Sequence, residues 1–153
     1  MAFDNTIGKN AKAYYNTGTY AIPVWVEIKK VTDLSIPMSK NMTDLPSREM
    51  DWVVKGPGLK TLQVTFGYLM VVGADTVFDA LLDSFISDTV TEFAFMNGAI
   101  ATSANQGIRG QFVVSGMDEE QGLEEGLSHA FTLDIVRFND GGTLRIPEWY
   151  IIA

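Results

Sequence analysis

LQVTFGYLM (Leu62–Met70), with the DTVFDALLDSFISD (Asp75–Asp88) and TEFAFM (Thr91–Met96) that follow it, decides the fold. In the first segment Leu62, Val64, Phe66, Tyr68 and Met70 alternate with Gln63, Thr65 and Gly67, the pattern of a strand with one buried face. The second segment changes to a period of about 3.6 residues. Val77, Phe78, Leu81, Leu82, Phe85 and Ile86 fall on one side of a helix and are expected to pack on a sheet. Asp75, Asp79 and Asp83 fall on the other side as a solvent-facing ridge, and Thr76 is placed to cap the helix. Phe93 and Phe95 then restore a strand. One helix on a β framework results: a mainly β chain, antiparallel, with a flanking helix.

Outward from this unit the segments are short and β-like. Lys12 to Asn16 reads as a short strand, and Val24 to Val31 as a clear one, with Val24, Val26 and Ile28 opposed to Trp25, Glu27 and Lys29. A further alternating piece runs through Leu34 and Ile36. Pro37 to Ser47 breaks every pattern and reads as a long loop, a length that usually marks function or mobility. Strand character returns at Arg48 to Lys55, and Gly56-Pro57-Gly58 reads as the turn of a hairpin leading into Leu59 to Met70. Ile108 to Met117 and Leu127 to Phe138 are long strands joined by the acidic run Asp118 to Glu125. Asn139-Asp140-Gly141-Gly142 signals a turn, and Pro147 assigns Leu144 to Ile152 to a sheet edge or an extended tail.

Composition narrows the function. The 153 residues suit one domain, and 46% hydrophobic with 20% charged residues is globular rather than disordered. With no cysteine there is no disulfide, thiolate metal site or cysteine nucleophile. Met1-Ala2-Phe3-Asp4 does not open a secretory leader, and no apolar run is long enough to span a bilayer. Residues 1–60 hold eight Lys/Arg and six Asp/Glu, whereas residues 61–153 hold three and thirteen. A net charge of −8 disfavours gripping nucleic acid, and the asymmetry favours head-to-tail contact between copies.

No catalytic constellation emerges, and no cofactor or metal site is expected. His129 stands alone and enters an apolar strand, so packing is its expected role. Gly56 to Thr61 lacks P-loop spacing and precedes a strand. Asp118 to Glu125 lacks the ligand order of an EF-hand. Asn41-Met42-Thr43 is a glycosylation sequon without a secretory context.

The order of segments is similar to a known family. VEIKKVTDLSI (Val26–Ile36), a long loop, REMDWVVKGPGLKTLQVTFGYL (Arg48–Leu69), the helix, FAFMNG (Phe93–Gly98) and FTLDIVRF (Phe131–Phe138) together resemble the major tail tube protein of long-tailed bacteriophages. That fold is shared with contractile-tail and type VI secretion tubes. The resemblance covers roughly residues 24–138 and leans on Val31-Thr32-Asp33-Leu34, Trp52 with Gly56, and Phe95 to Gly98.

The resemblance implies an antiparallel β-sandwich or half-barrel and six-membered rings stacked into a tube. It implies a virion-tail location after assembly in the host cytoplasm, without membrane insertion. Its partners would be other copies of itself, a tape-measure protein, and tail-terminator or baseplate proteins. DNA would pass through an acidic or neutral lumen without sequence-specific binding. On that basis Glu27, Gln63, Thr65, Gln111, Ser115 and Asp134 are lumen-facing candidates. Ser39, Lys40, Asn41, Met42, Thr43, Asp44, Leu45, Arg48 and Trp52 are ring-stacking candidates; residues 1–23 and 144–153 fall outside the resemblance and are expected to be arms reaching neighbours. Two other readings remain open at this point. One is the tube of a contractile injection or type VI secretion system. The other is a monomeric β-sandwich binding module using Tyr14, Tyr15, Tyr20 and Trp25.

Overall fold

A computed structural model describes residues 11–70, 73–123 and 126–153. Its elements in chain order are β1 (Lys12–Asn16), β2 (Trp25–Ile28), β3 (Val31–Ser35), β4 (Met38–Leu45), β5 (Val54–Leu69), α1 (Thr76–Ser87), β6 (Thr91–Met96), β7 (Gln106–Glu120), β8 (Ser128–Ile135), β9 (Phe138–Asp140), β10 (Thr143–Arg145) and β11 (Glu148–Ile151). The main sheet is antiparallel and runs β2-β1-β6-β7-β8-β5-β3. β2 and β3 are consecutive in the chain yet sit at opposite edges, so the sheet curls into a half-barrel with the Lys29-Lys30 turn at the closing corner.

The concave face holds the core. Leu62, Val64, Phe66 and Tyr68 from β5 meet Phe93 and Phe95, Phe112 and Val114, and Phe131 and Leu133, all buried. The helix covers this face through Leu81, with Val77, Phe78 and Ala80 partly buried against the cluster. Phe85 and Ile86 do not join it; they are 39% and 68% exposed, and Leu82 is half-buried. The inward position near the helix C-terminus belongs to Ser84, which is fully buried. β6 begins at Thr91, opposite Phe112, so on its side the Val114 N–H lies beyond the last strand partner. That N–H donates to the Ser84 hydroxyl (3.2 Å), which itself donates to the Thr89 carbonyl (2.8 Å). An apolar side chain there would leave a buried donor unmatched, which is why helical periodicity misassigns the last turn.

The helix start also differs from expectation. Asp75, not Thr76, is the N-cap, and its carboxylate accepts from Phe78 N–H (3.2 Å). It also accepts from the Tyr68 hydroxyl (2.6 Å) and from Lys30 Nζ (3.3 Å), so Asp75 is buried rather than part of an exposed ridge with Asp79 and Asp83. This one carboxylate ties the sheet corner, β5 and the helix together.

The segment 37–61 departs most from the sequence reading. It is no loop: β4 pairs with the outer half of β5 as a two-stranded ribbon, from Met38 opposite Leu62 to Leu45 opposite Val54. Gly56-Pro57-Gly58 lies inside β5, and the turn falls at residues 46–53. A register shift between Lys40 and Met42 adapts the ribbon near Pro57, which has no N–H to donate. The strand pattern is hidden because every residue of β4 is exposed, so neither face carries an apolar stripe. At the C-terminus the expected single strand is split at Ile146-Pro147. β9 and β10 form a hairpin whose Gly141 and Gly142 take φ of 57° and 91°, and β11 pairs with β7 alone.

Asp75 sets an acid limit on stability. Burial pushes its carboxyl up, but hydrogen bonds from Tyr68, Phe78 N–H and Lys30, with the Lys30 charge, outweigh that and hold it below its ordinary 3.8. A depressed carboxyl stabilises the fold above its unfolded value, and the contribution is lost as pH falls through the folded one. In Asp75→Asn, which keeps the cap, the stability lost on acidification below about pH 4 should shrink in denaturant titrations, by comparison with the parent.

Candidate assembly surfaces

The β4–β5 ribbon projects beyond the main sheet because β5 has sixteen residues and β8, its partner, has eight. β8 pairs with β5 from Gln63 to Leu69 and stops at Ile135. Val54 to Leu62 therefore pair only with β4 among the described residues, and their other edge is open. The ribbon and its turn expose Met38, Met42, Leu45, Met50, Val53 and Leu59, and Trp52 is 82% exposed. A lone two-stranded ribbon with this much exposed apolar surface is marginal in water, which makes it a candidate interaction surface. Burying each large side chain against a partner would contribute roughly 1.5–3 kcal/mol. Of the ring-stacking candidates, Ser39 to Leu45 lie on β4 and Arg48 and Trp52 in the turn, all exposed.

Strand register sorts the lumen candidates. Glu27, Gln63, Thr65, Gln111 and Asp134 share the convex face, opposite the helix. Ser115 is the extra residue of a β-bulge between Val114 and Gly116, and its hydroxyl donates to the Thr132 carbonyl (3.3 Å). Around Gln63, Thr65, Thr132 and Asp134 the convex face is open, polar and free of lysine and arginine, and Gln63 donates to Asp134 (3.1 Å). Glu27 is half-buried and held by Lys12 Nζ at 2.8 Å.

Gln111 does not belong with an open lining. It is buried, with its amide donating to Glu92 (2.5 Å), because this half of the convex face is covered by the chain itself. Arg109 is the centre of the covered half. Its Nε donates to Glu92 (2.5 Å) and its Nη2 to the Tyr20 carbonyl (2.8 Å). Its guanidinium lies 4.1 Å from the Tyr20 ring centroid, with Trp25 and Tyr150 just beyond 5 Å. Arg145 covers the other side of Tyr20 at 3.9 Å, and the Tyr20 hydroxyl donates to Glu148 (2.7 Å). Burial lifts the Glu92 carboxyl above its ordinary value, and Arg109 and Gln111 offset this only in part.

These contacts alter two expectations about the termini and the aromatics. β1 and β11 pair within this chain's own sheet, and Ile152 exchanges backbone hydrogen bonds with Ala104 and Asn105 at 2.9 Å, so residues 12–16 and 148–152 are not free arms. Residues 1–10 of the proposed N-terminal arm lie outside the described residues, as do Glu124 and Glu125 of the acidic run. Tyr14 and Tyr15 are buried and Tyr20 is enclosed by two guanidinium groups, so the four aromatics form no exposed platform for a ligand. The sequence does carry a signal for Arg109: the one charge within the apolar stretch Ile108 to Met117, with one carboxylate, Glu92, in the apolar strand paired to it.

Among the described residues no group of three His, Asp or Glu is placed to hold a metal ion, and no helix is long and apolar enough to cross a membrane. His129 is buried beside Phe78 (4.8 Å between ring centroids), with Nε2 3.7 Å from Glu119.

No protein-family model and no curated protein sequence matches the chain. Solved structures do match in fold. A chain of the SPP1 tail tube superposes with a TM-score of 0.71 at 11% identity, covering 96% of this chain and 81% of that one. A chain from the tail of an empty gene transfer agent particle, refined with C6 symmetry, gives 0.67 at 17% identity, covering 93% and 98%. A chain of the PVC sheath–tube complex, an extracellular contractile injection system in its extended state, gives 0.64 at 8% identity, covering 97% and 93%. The chain has the tail-tube fold.

Arg109→Met should remove the cage's cation and leave Glu92 buried without an ionic partner, at a cost of about 3–5 kcal/mol in chemical denaturation. Arg109→Lys should recover little of this, since an ammonium cannot meet Glu92 and the Tyr20 carbonyl in the guanidinium's geometry.

Proposed function

We propose that this protein is the structural subunit of a phage-type tail tube, assembling as stacked six-membered rings around a channel for DNA. The observation that carries the reading is the β4–β5 ribbon: a projection whose apolar side chains and open strand edge have no use in an isolated chain. Its fold, like that of tail tubes and of the PVC tube–sheath complex, makes a second copy the natural partner. Heterologous contacts between identical subunits close into rings or extend into filaments, and a tube uses both. The ribbon serves as the stacking element, with Met42, Leu45 and Trp52 entering the neighbouring ring.

The open convex patch of Gln63, Thr65, Thr132 and Asp134 supplies the lumen. It offers phosphate no cation, so a passing duplex has nothing to bind. Partners at the tube ends are the proteins that set its length and close or anchor it. The likeness to the PVC complex supports a second reading, a tube inside a contractile sheath, which differs in what surrounds the tube and not in the subunit's role.

Negative-stain microscopy of the purified protein is expected to show tubes or six-fold rings; monomers at all concentrations would remove the reading. Trp52→Ser with Met42→Ser, both exposed in the subunit, should leave the thermal transition unchanged while tubes give way to rings or monomers in sedimentation. Gln63→Lys with Asp134→Lys should leave tubes intact but slow DNA delivery, and undiminished delivery would take the lumen assignment away from this face.

A further inference from the structure

Where β8 stops at Ile135 while β5 and β7 run on, the sheet leaves a slot. It is an open groove of about 660 Å³, lined by Met38, Leu59, Leu62, Ile108, Ile135 and Ile146. Leu59 is 81% exposed on its rim. Lys40 and Lys60, which also line it, stand directly opposite each other on the ribbon and share a face with Met38 and Leu62. Like charges in directly opposed strand positions repel, and among the described residues neither lysine forms an ion pair. The free subunit therefore holds an apolar groove beside an uncompensated pair of cations.

Ile108 and Ile135 stand at one end of the β7–β8 pair, and the other end of that pair carries the complement. β7 continues from Ile108, at the slot, to Asp118, Glu119 and Glu120, about 40 Å along the strand at roughly 3.3 Å per residue. Glu119 faces His129, but Asp118 and Glu120 pair with no cation among the described residues. Beyond them Leu123 is 100% exposed.

We infer that the slot of one copy receives the β7–β8 tip of the next, with Leu123 in the apolar groove and Asp118 and Glu120 against Lys40 and Lys60. Groove and tip match in charge and in apolar content, and their placement at opposite ends of one strand pair makes the contact heterologous and repeating. A copy cannot satisfy its own slot, and each copy added exposes a new one, so the contact propagates along the strand direction. The inference deepens the tube reading by naming the partner surface for the base of the ribbon. It also makes the stacking interface electrostatically polar, so growth should weaken as salt rises.

Charge reversal tests it. Lys40→Glu with Lys60→Glu places like charges across the contact, and so does Asp118→Lys with Glu120→Lys. Each pair is expected to reduce the mass of tubes roughly tenfold or more, measured by sedimentation and microscopy. The four changes in one chain should restore tubes. All four positions are exposed, so thermal transitions should match the parent throughout. Normal tubes from either paired variant, or no recovery in the fourfold variant, would overturn the inference while leaving the tube reading intact. Failure of the unaltered chain to form tubes or rings would instead overturn the tube reading itself.

Discussion

A backbone strand edge must find hydrogen-bonding partners, and β5 is twice as long as β8, its longer partner in the main sheet. Its inner half is satisfied on both sides, by β8 and β3, and supplies Val64, Phe66 and Tyr68 to the core. Its outer half recruits β4 on one side only. The ribbon, its exposed apolar residues, the open edge and the slot beside Ile135 all follow from that mismatch in length. A subunit built in this way is incomplete alone, which is the physical basis for reading it as a building block.

The convex face shows how one surface serves two purposes. Over β1, β6 and the start of β7 it is closed by the chain itself, with Arg109 held among Glu92, Tyr20, Trp25 and Tyr150. Around Gln63, Thr65, Thr132 and Asp134 it stays open and carries no lysine or arginine. The buried ion pair gives little net stability for its burial, but its geometry fixes where the segments around Tyr20 and Tyr150 lie. On the concave side Asp75 and Ser84 do comparable work, one joining helix to sheet corner, the other completing β7 where β6 has ended.

Strongly amphipathic elements are legible in the amino-acid order alone. β1 is bounded as expected, and β2, β3, β6, β7, β8 and the helix lie close to where the sequence pattern puts them, because each has at least one dry face that leaves a run or alternation of apolar residues. The ribbon is not legible, because an element exposed on both faces leaves no stripe to read. For the same reason Gly56-Pro57-Gly58, usually turn chemistry, passes for a hairpin when it sits within a strand. Phe85 and Ile86 fit the apolar face of the helix by spacing, yet their turn lies where the sheet asks for the hydroxyl of Ser84.

By itself the sequence determined the fold class, the single helix, the positions of most strands of the main sheet and the unequal charge of its two halves. These depend on local period and composition, which a chain carries with it. Only the tertiary structure decided that Arg109 and Glu92 face each other, that Gln111 is closed off while Gln63 and Asp134 remain open, and that Lys40 meets Lys60 across a ribbon. Those facts depend on register and on where each strand stops. Register is set by pairing between distant segments, so no local pattern could announce it.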